Sequence, residues 1–282
     1  MPLKFKKVYI DSRYCEGTAS NFKYELPETL YCEPNTVFYV DDITLPVSFY
    51  AVEEGVNNKL YLYLYESSYP FRDHSYIITL APGNYVAVDF VSEVQAKINQ
   101  ATNSLYSNLF ICTYTAKQNT ITIALSSTYP FLSFVILTPL DLKTKLNNKF
   151  TLSYNTQKPD SCNDIISNNE GTFNEKEVLI PFVGLINLQS IRNIFLHSPN
   201  LGHSSNVGPQ YESTIIKKIP ISANYKEVIY DQVLLFNDCN DVSGSTLKTL
   251  EFQFKDAHGN YINFHGCSVS FSIIFSKADP DR

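Results

Sequence analysis

Five histidines, His74, His197, His203, His258 and His265, are the side chains in this 282-residue chain best suited to move a proton or bind a metal near neutral pH. His197 and His203 bracket the loop His197-Ser198-Pro199-Asn200-Leu201-Gly202-His203. Two imidazoles at that spacing could share a metal ion, but no carboxylate or cysteine is placed to complete its shell. His258, His265 and Cys267 surround one turn, and a zinc site there would need a fourth ligand from elsewhere. Both groups read as loop or strand-end histidines.

The carboxylates give the same answer. Asp41-Asp42 lies inside an apolar strand, where neighbouring residues point to opposite faces. The pair therefore makes no acid–base dyad by itself and is expected at a bulge or strand end with both acids solvated. Asp11 and Arg13 can form a local ion pair of little net value. Asp238, Asn240 and Asp241 could in principle hold calcium, yet Asp/Asn clusters of this kind are turns far more often. Gly-x-Ser-x-Gly, the P-loop and Gly-x-Gly-x-x-Gly are all missing. No catalytic, cofactor-binding or metal residue is assigned, no cofactor is expected, and the chain reads as a non-enzyme.

The composition turns attention to surfaces. Tyr (20) and Phe (19) raise aromatics to 14% and hydrophobic residues total 44%, too apolar for disorder and suited to strands. The net charge is −6 at pH 7, so the basic face of a nucleic-acid binder is missing and sequence-specific nucleic-acid binding is not expected. Lys4, Lys6 and Lys7 form the one basic cluster. They read as a solvated end or as an arm reaching a neighbouring subunit or the genome. No apolar run is long enough to span a membrane, and the first residues lack the apolar core of a signal peptide. Six widely spaced cysteines and no Asn-x-Ser/Thr sequon fit folding in a reducing cytosol.

The elements follow from periodicity. A first strand, Val8-Tyr9-Ile10, is followed by an alternating strand from Asn21 to Leu26 that Pro27 should end. Val37 to Val40 is apolar at every position and continues to Pro46, which predicts a central strand buried on both sides. Leu60 to Tyr65 alternates Leu with Tyr, predicting a core strand whose Tyr face can be half wet or turned to a second layer, with a sugar-binding or partner surface as the second reading. Ile77 to Leu80 is a further strand, Asp89 to Ala101 is the one convincing helix, with Asp89 as cap and Glu93 paired to Lys97, and Phe110–Thr115 with Thr120–Leu125 is a hairpin. Tyr69-Pro70-Phe71 and Tyr129-Pro130-Phe131 read as loop anchors, and Phe131 to Leu146 has no clear period. Asn155 to Glu177 reads as a long polar surface loop. Strands return at Ile191–Leu196, Thr214–Ile221 and Val228–Leu235.

The last forty residues carry the clearest pattern. Leu250, Phe252 and Phe254 share one face of a strand. Asp256 to Asn260 is a turn in which Gly259 and Asn260 can take positive φ, and Val269, Phe271, Ile273 and Phe275 line the core side of a closing strand with Ile274 as the exception. Three strands before residue 50 and five after 185 predict a mostly β protein: a single eight-stranded jelly roll, a two-sheet antiparallel sandwich, with an inserted α+β subdomain. Residues 1–52 and 179–282 would form the jelly roll, and 53–178 the insertion.

In their order, several segments resemble a family. Ser20 to Pro27, Val40 to Pro46, Ile78 to Tyr85 with its helix, Ile194 to Ser198, Ile215 to Pro220 and Leu250 to Phe264 with the closing strand are similar to the penton, or minor capsid, proteins of virophages, Polinton-type elements and related small eukaryotic DNA viruses. The resemblance implies an upright jelly roll carrying an inserted domain, five copies of which close an icosahedral vertex. It further implies a structural virion protein made in the host cytoplasm, with itself and the major capsid protein as partners, and an insertion that could meet a host receptor. The other reading is a β-sandwich receptor- or glycan-binding module, based on the Tyr content and the polar loops.

Overall fold

A computed structural model describes residues 5–67, 72–144, 160–168, 181–189, 191–202, 206–232 and 239–278. Lys4, His203, Asp238, Tyr69-Pro70-Phe71 and the remaining parts of 155–177 and of Val228–Leu235 lie outside them. In chain order the strands are β1 Phe5–Asp11, β2 Glu16–Thr18, β3 Asn21–Tyr31, β4 Thr36–Pro46, β5 Lys59–Glu66, β6 Arg72–Thr79, β7 Phe110–Thr115, β8 Thr120–Leu125, β9 Leu132–Ile136 and β10 Phe182–Leu185. They continue as β11 Asn193–His197, β12 Ile215–Pro220, β13 Val228–Gln232, β14 Asn240–Asp241, β15 Thr246–Lys255 and β16 Ser270–Lys277. The helices are α1 Ala87–Thr102 and α2 Pro139–Thr144. Two compact units share the chain: Met1–Phe49 with Ile191–Arg282, and Tyr50–Ser190.

The first unit is a jelly roll. Its strand pairs β1·β16, β3·β15, β4·β13 and β11·β12 are all antiparallel, so head and tail of the chain form one long folded ribbon. The pairs β16·β4 and β15·β11 wrap that ribbon into two sheets. One sheet runs β1-β16-β4-β13 and the other β12-β11-β15-β3-β2. This winding is the double Greek key of a jelly roll. The period-two pattern explains why the sheets face each other: Val8, Ile10, Phe38, Val40, Ile43, Phe271, Ile273 and Phe275 on one sheet and Phe22, Leu250, Phe252 and Phe254 on the other share one buried cluster. Phe252 meets Phe271 edge-on at 4.9 Å between ring centres, and Phe254 meets Phe271 at 6.1 Å. Contacts of this kind add about 0.5–1.5 kcal/mol each beyond burial.

Three details of this unit differ from the sequence reading. Pro27 does not end its strand. β3 continues to Tyr31, and the ladder to β15 slips between Leu247↔Leu30 and Thr249↔Glu25. Proline cannot donate to the ladder, so it is tolerated at this irregularity, and the Lys248 ammonium donates to the carbonyl oxygens of Leu26 (2.7 Å) and Pro27 (3.4 Å). Secondly, β4 is central in its sheet but buried on one face only, because Val37 and Tyr39 are half-exposed on the outside. Finally, Gly259 (φ 76°) takes a left-handed conformation in the Asp256–Asn260 turn, whereas Asn260 does not. The Asp256 carboxylate secures that turn by accepting from the backbone N–H groups of His258 and Asn260.

The second unit has two three-stranded sheets, β6-β5-β9 and β10-β8-β7. β10 pairs with β8 and so belongs to the second unit, although it lies beyond the 178/179 boundary drawn from the sequence. α1 begins two residues before Asp89, at Val86–Ala87, and has no side-chain cap. Phe90, Val94 and Ile98 enter the core as the spacing predicts. Glu93 accepts from the Ala81 N–H rather than serving the helix surface. Further along, Gln95 and Asn99 accept from the N–H groups of Cys112 and Phe110 on β7 (2.7 and 2.8 Å), so helix amides satisfy a strand edge.

One expectation about this unit holds and one is overturned. The Tyr face of β5 is turned to a second layer: Tyr61, Tyr63, Leu137 and Leu142 form a small buried cluster with α2, which comes from the stretch without clear period. By contrast, residues 160–168 are no surface loop. Cys162, Ile165 and Ile166 are buried in the unit's core, and Asn163 and Asn168 donate to the carbonyls of Leu137 and Ile136 (2.9 and 3.0 Å). Three apolar residues in a polar context were enough to draw the segment inward, and its amides compensate. Asp160, 1% exposed, meets the Lys59 ammonium (2.6 Å) and accepts from the Tyr61 hydroxyl (2.5 Å).

Candidate functional site

Among the described residues no three His, Cys, Asp or Glu side chains are grouped to hold a metal ion. His197 closes β11, buried, with Nδ1 2.9 Å from the Thr214 hydroxyl. His258 lies in the turn secured by Asp256. His265 (φ 49°) and Gly266 (φ 81°) make the reversal before β16, and Cys267 is exposed beside them. With Ser12, Arg13 and Ser20 these residues line a cleft of about 520 Å³ built from turns. Asp241 accepts from the Ser243 N–H, and Asn240 is buried and accepts from the Asn206 amide (2.6 Å); both lie in β14, beside β4. Asp11 and Arg13 form a forked pair (2.6–3.1 Å) that closes a short 3-10 turn, and the guanidinium holds the Asp11 carboxyl below its usual range. Tyr129 packs edge-on against Tyr106 and Phe131, in keeping with an anchor.

The Asp41-Asp42 pair is the informative one. The β16·β4 register jumps between Ser272↔Asp42 and Ile273↔Val40, so Asp41 is the extra residue of a bulge. A bulge breaks the alternation, and both carboxylates reach one side. Neither is simply solvated: the Lys7 ammonium lies 2.6 Å from Asp41 and 3.3 Å from Asp42, and the Ser272 hydroxyl also bonds Asp42. The hydrogen bond to Asp41 is the main reason why the Lys7 pKa is raised. Lys7 is thus no free basic end; it lies 5.0 Å over the Tyr9 ring and is held from β1 across β16 to β4.

Around this network the outer face of the β1-β16-β4-β13 sheet presents large side chains to solvent. Tyr9 is 72% exposed, Tyr230 63% and Val228 56%, and Phe5 stands at the start of β1. Register places them on one face: Tyr9 is opposite Ser272, Ser272 opposite Asp42, and Tyr230 opposite Thr44. The face combines aromatic area, hydroxyls and a neutralising charge network, which are features of protein contacts. On β5, where the sequence offered a partner surface as its second reading, Tyr61 and Tyr63 are buried and Tyr65 is partly exposed. The outward tyrosines of β1 and β13 were legible only as the polar phase of an alternation.

No protein-family model matches the sequence, and no curated protein matches it. Among solved structures, the crystal structure of the mavirus penton protein is similar over 97% of this chain and 99% of that one, with a TM-score of 0.49 and 8% identity.

Proposed function

We propose that the protein is a structural capsid component, a penton subunit whose five copies close an icosahedral vertex, and that its role is non-catalytic. The observation that carries this reading is the wound β1·β16, β3·β15, β4·β13, β11·β12 ribbon interrupted once, between β4 and β11, by a separate unit. That is the architecture implied by the resemblance of the ordered segments to penton proteins. In this reading the unit of Met1–Phe49 and Ile191–Arg282 builds the shell and Tyr50–Ser190 is an elaboration of it. The partners are further copies of the chain and the major capsid protein, and the location is the virion vertex.

A five-fold ring needs a heterologous contact, one flank against a different flank of the next copy. The outer face with Tyr9, Tyr230, Val228 and Phe5 supplies one such flank. Multi-angle light scattering and native mass spectrometry on the purified chain, alone and mixed with the shell protein, test the reading. A five-fold mass is expected, weakened by Tyr9→Ser with Tyr230→Ser. A stable dimer or trimer under both conditions contradicts it.

A further inference from the structure

The His197 imidazole is 3% exposed, and its Nε2 has no hydrogen-bond partner. It lies on the outer side of β11, since its neighbours Ile194 and Leu196 belong to the inner core. Its position is a junction. The β11·β12 register shifts between Leu196 and His197, β15 pairs on the other side through Gln253, and Thr214 leads into β12. Residues 206–214 return along this part of the sheet. Asn206 donates to the Ile215 carbonyl (3.0 Å) and to Asn240, Gln210 donates to the Ala257 carbonyl (3.3 Å), and the Thr214 carbonyl accepts from Ser198 N–H (2.8 Å). Val207 and Tyr211 on the segment are exposed.

We propose that residues 206–214 are a strap on the outer face of the β12-β11-β15 sheet, latched at neutral pH by the bond between His197 and Thr214 and released in acid. A neutral imidazole can donate from Nδ1 to Thr214 and leave a bare lone pair at Nε2. Protonation places a second N–H there, buried and with no acceptor among the described residues. The surrounding charges oppose it too. Lys255 comes from β15, and Lys218, opposite Phe195 on β12, is exposed on the same face. Glu212 on the strap is the one acid acting on the imidazole. Burial first, and then Lys255, hold the imidazole pKa below its ordinary value of 6.5. The sign follows: once the strap opens, the imidazole regains its ordinary affinity for a proton, so falling pH favours opening from about 6.5 downward. The inference is independent of the capsid reading.

Hydrogen–deuterium exchange of the full chain at pH 7.5 and 5.0, corrected for intrinsic rates, tests it. In the wild type, opening of 206–214 should rise over this range, by at most about tenfold for each pH unit below 6.5, because one proton is linked to opening. Peptides from β3 and β16 should not follow. His197→Gln should remove the pH response, and Thr214→Val should raise exchange of the strap at both pH values. Equal strap opening at both pH values in the wild type, or an undiminished response in His197→Gln, overturns the proposal. Should the Gln variant fail to fold, NMR titration of the wild-type imidazole decides instead. A midpoint below 6.5 that tracks strap opening is expected, and one at or above 6.5 overturns it.

Discussion

Lys7 on β1 and Asp41 on β4 meet at 2.6 Å although β16 runs between their strands. The bulge at Asp41 makes this reach possible by turning a second carboxylate to the same side. The pair thereby fastens the first strand of the chain to the centre of its sheet, over and above the ladder.

Removing the ammonium should loosen this fastening. Lys7→Met leaves Asp41 and Asp42 partly shielded and short of a partner. A loss of about 1–2 kcal/mol is expected in urea unfolding, kept modest because the group remains partly solvated. The folded-state pKa of Lys7 is raised above 10.5, so its contribution is complete below about that pH and fades as pH rises further. The gap between wild type and variant should accordingly be constant from pH 7 to about 10 and shrink in stronger base.

A second ion pair bridges the two sheets of the jelly roll. Lys217 on β12, its side chain 6% exposed, meets Asp231 on β13 at 3.0 Å. Asp231→Asn should cost about 2–3 kcal/mol, because a buried ammonium loses its counter-charge. Replacing both by Met and Leu should recover most of the loss in chemical denaturation. A double variant as unstable as Asp231→Asn would show that the charge is not the issue.

Gly184 on β10 has no room for a side chain. A Cβ there would stand 2.1 Å from the Ile166 carbonyl oxygen and 2.8 Å from the Phe182 ring. Gly184→Ala should therefore destabilise the second unit by about 2–3 kcal/mol through backbone displacement. Exchange protection should fall at β8 and β10 before it falls at β15.

The thiols should sort by burial. Cys162 and Cys112 have pKa values pushed up to about 12 by desolvation, and Cys239 and Cys267 are exposed. Since the thiolate reacts, iodoacetamide at pH 8 should label Cys267 and Cys239 in the native chain and reach Cys162 only after denaturation. Early modification of Cys162 would contradict its place in the core.

Much of the first unit was legible because a one-sided sheet writes its burial into the sequence with period two. Phe252, Phe254, Phe271, Ile273 and Phe275 are all buried where that alternation put them. Polar side chains enter the core where a partner satisfies them, which hydropathy alone does not reveal. Tyr61 and Tyr63 are buried because hydroxyl partners accompany their rings, as Asp160 does for Tyr61 and Asp73 for Tyr63. Asn163 and Asn168 are buried because backbone carbonyls receive their amides. The outer-face network was hidden for another reason. A bulge is a property of two strands in register, and neither Asp41-Asp42 nor Lys7 announces it alone.

The most direct test of the proposed capsid role is a cryo-EM reconstruction of particles purified from the source of this sequence. Five copies of the β1-β16-β4-β13 and β12-β11-β15-β3-β2 sandwich around each five-fold axis, in contact with the surrounding shell protein, are the predicted result. Vertices built by another protein, or a particle without this chain, would contradict it.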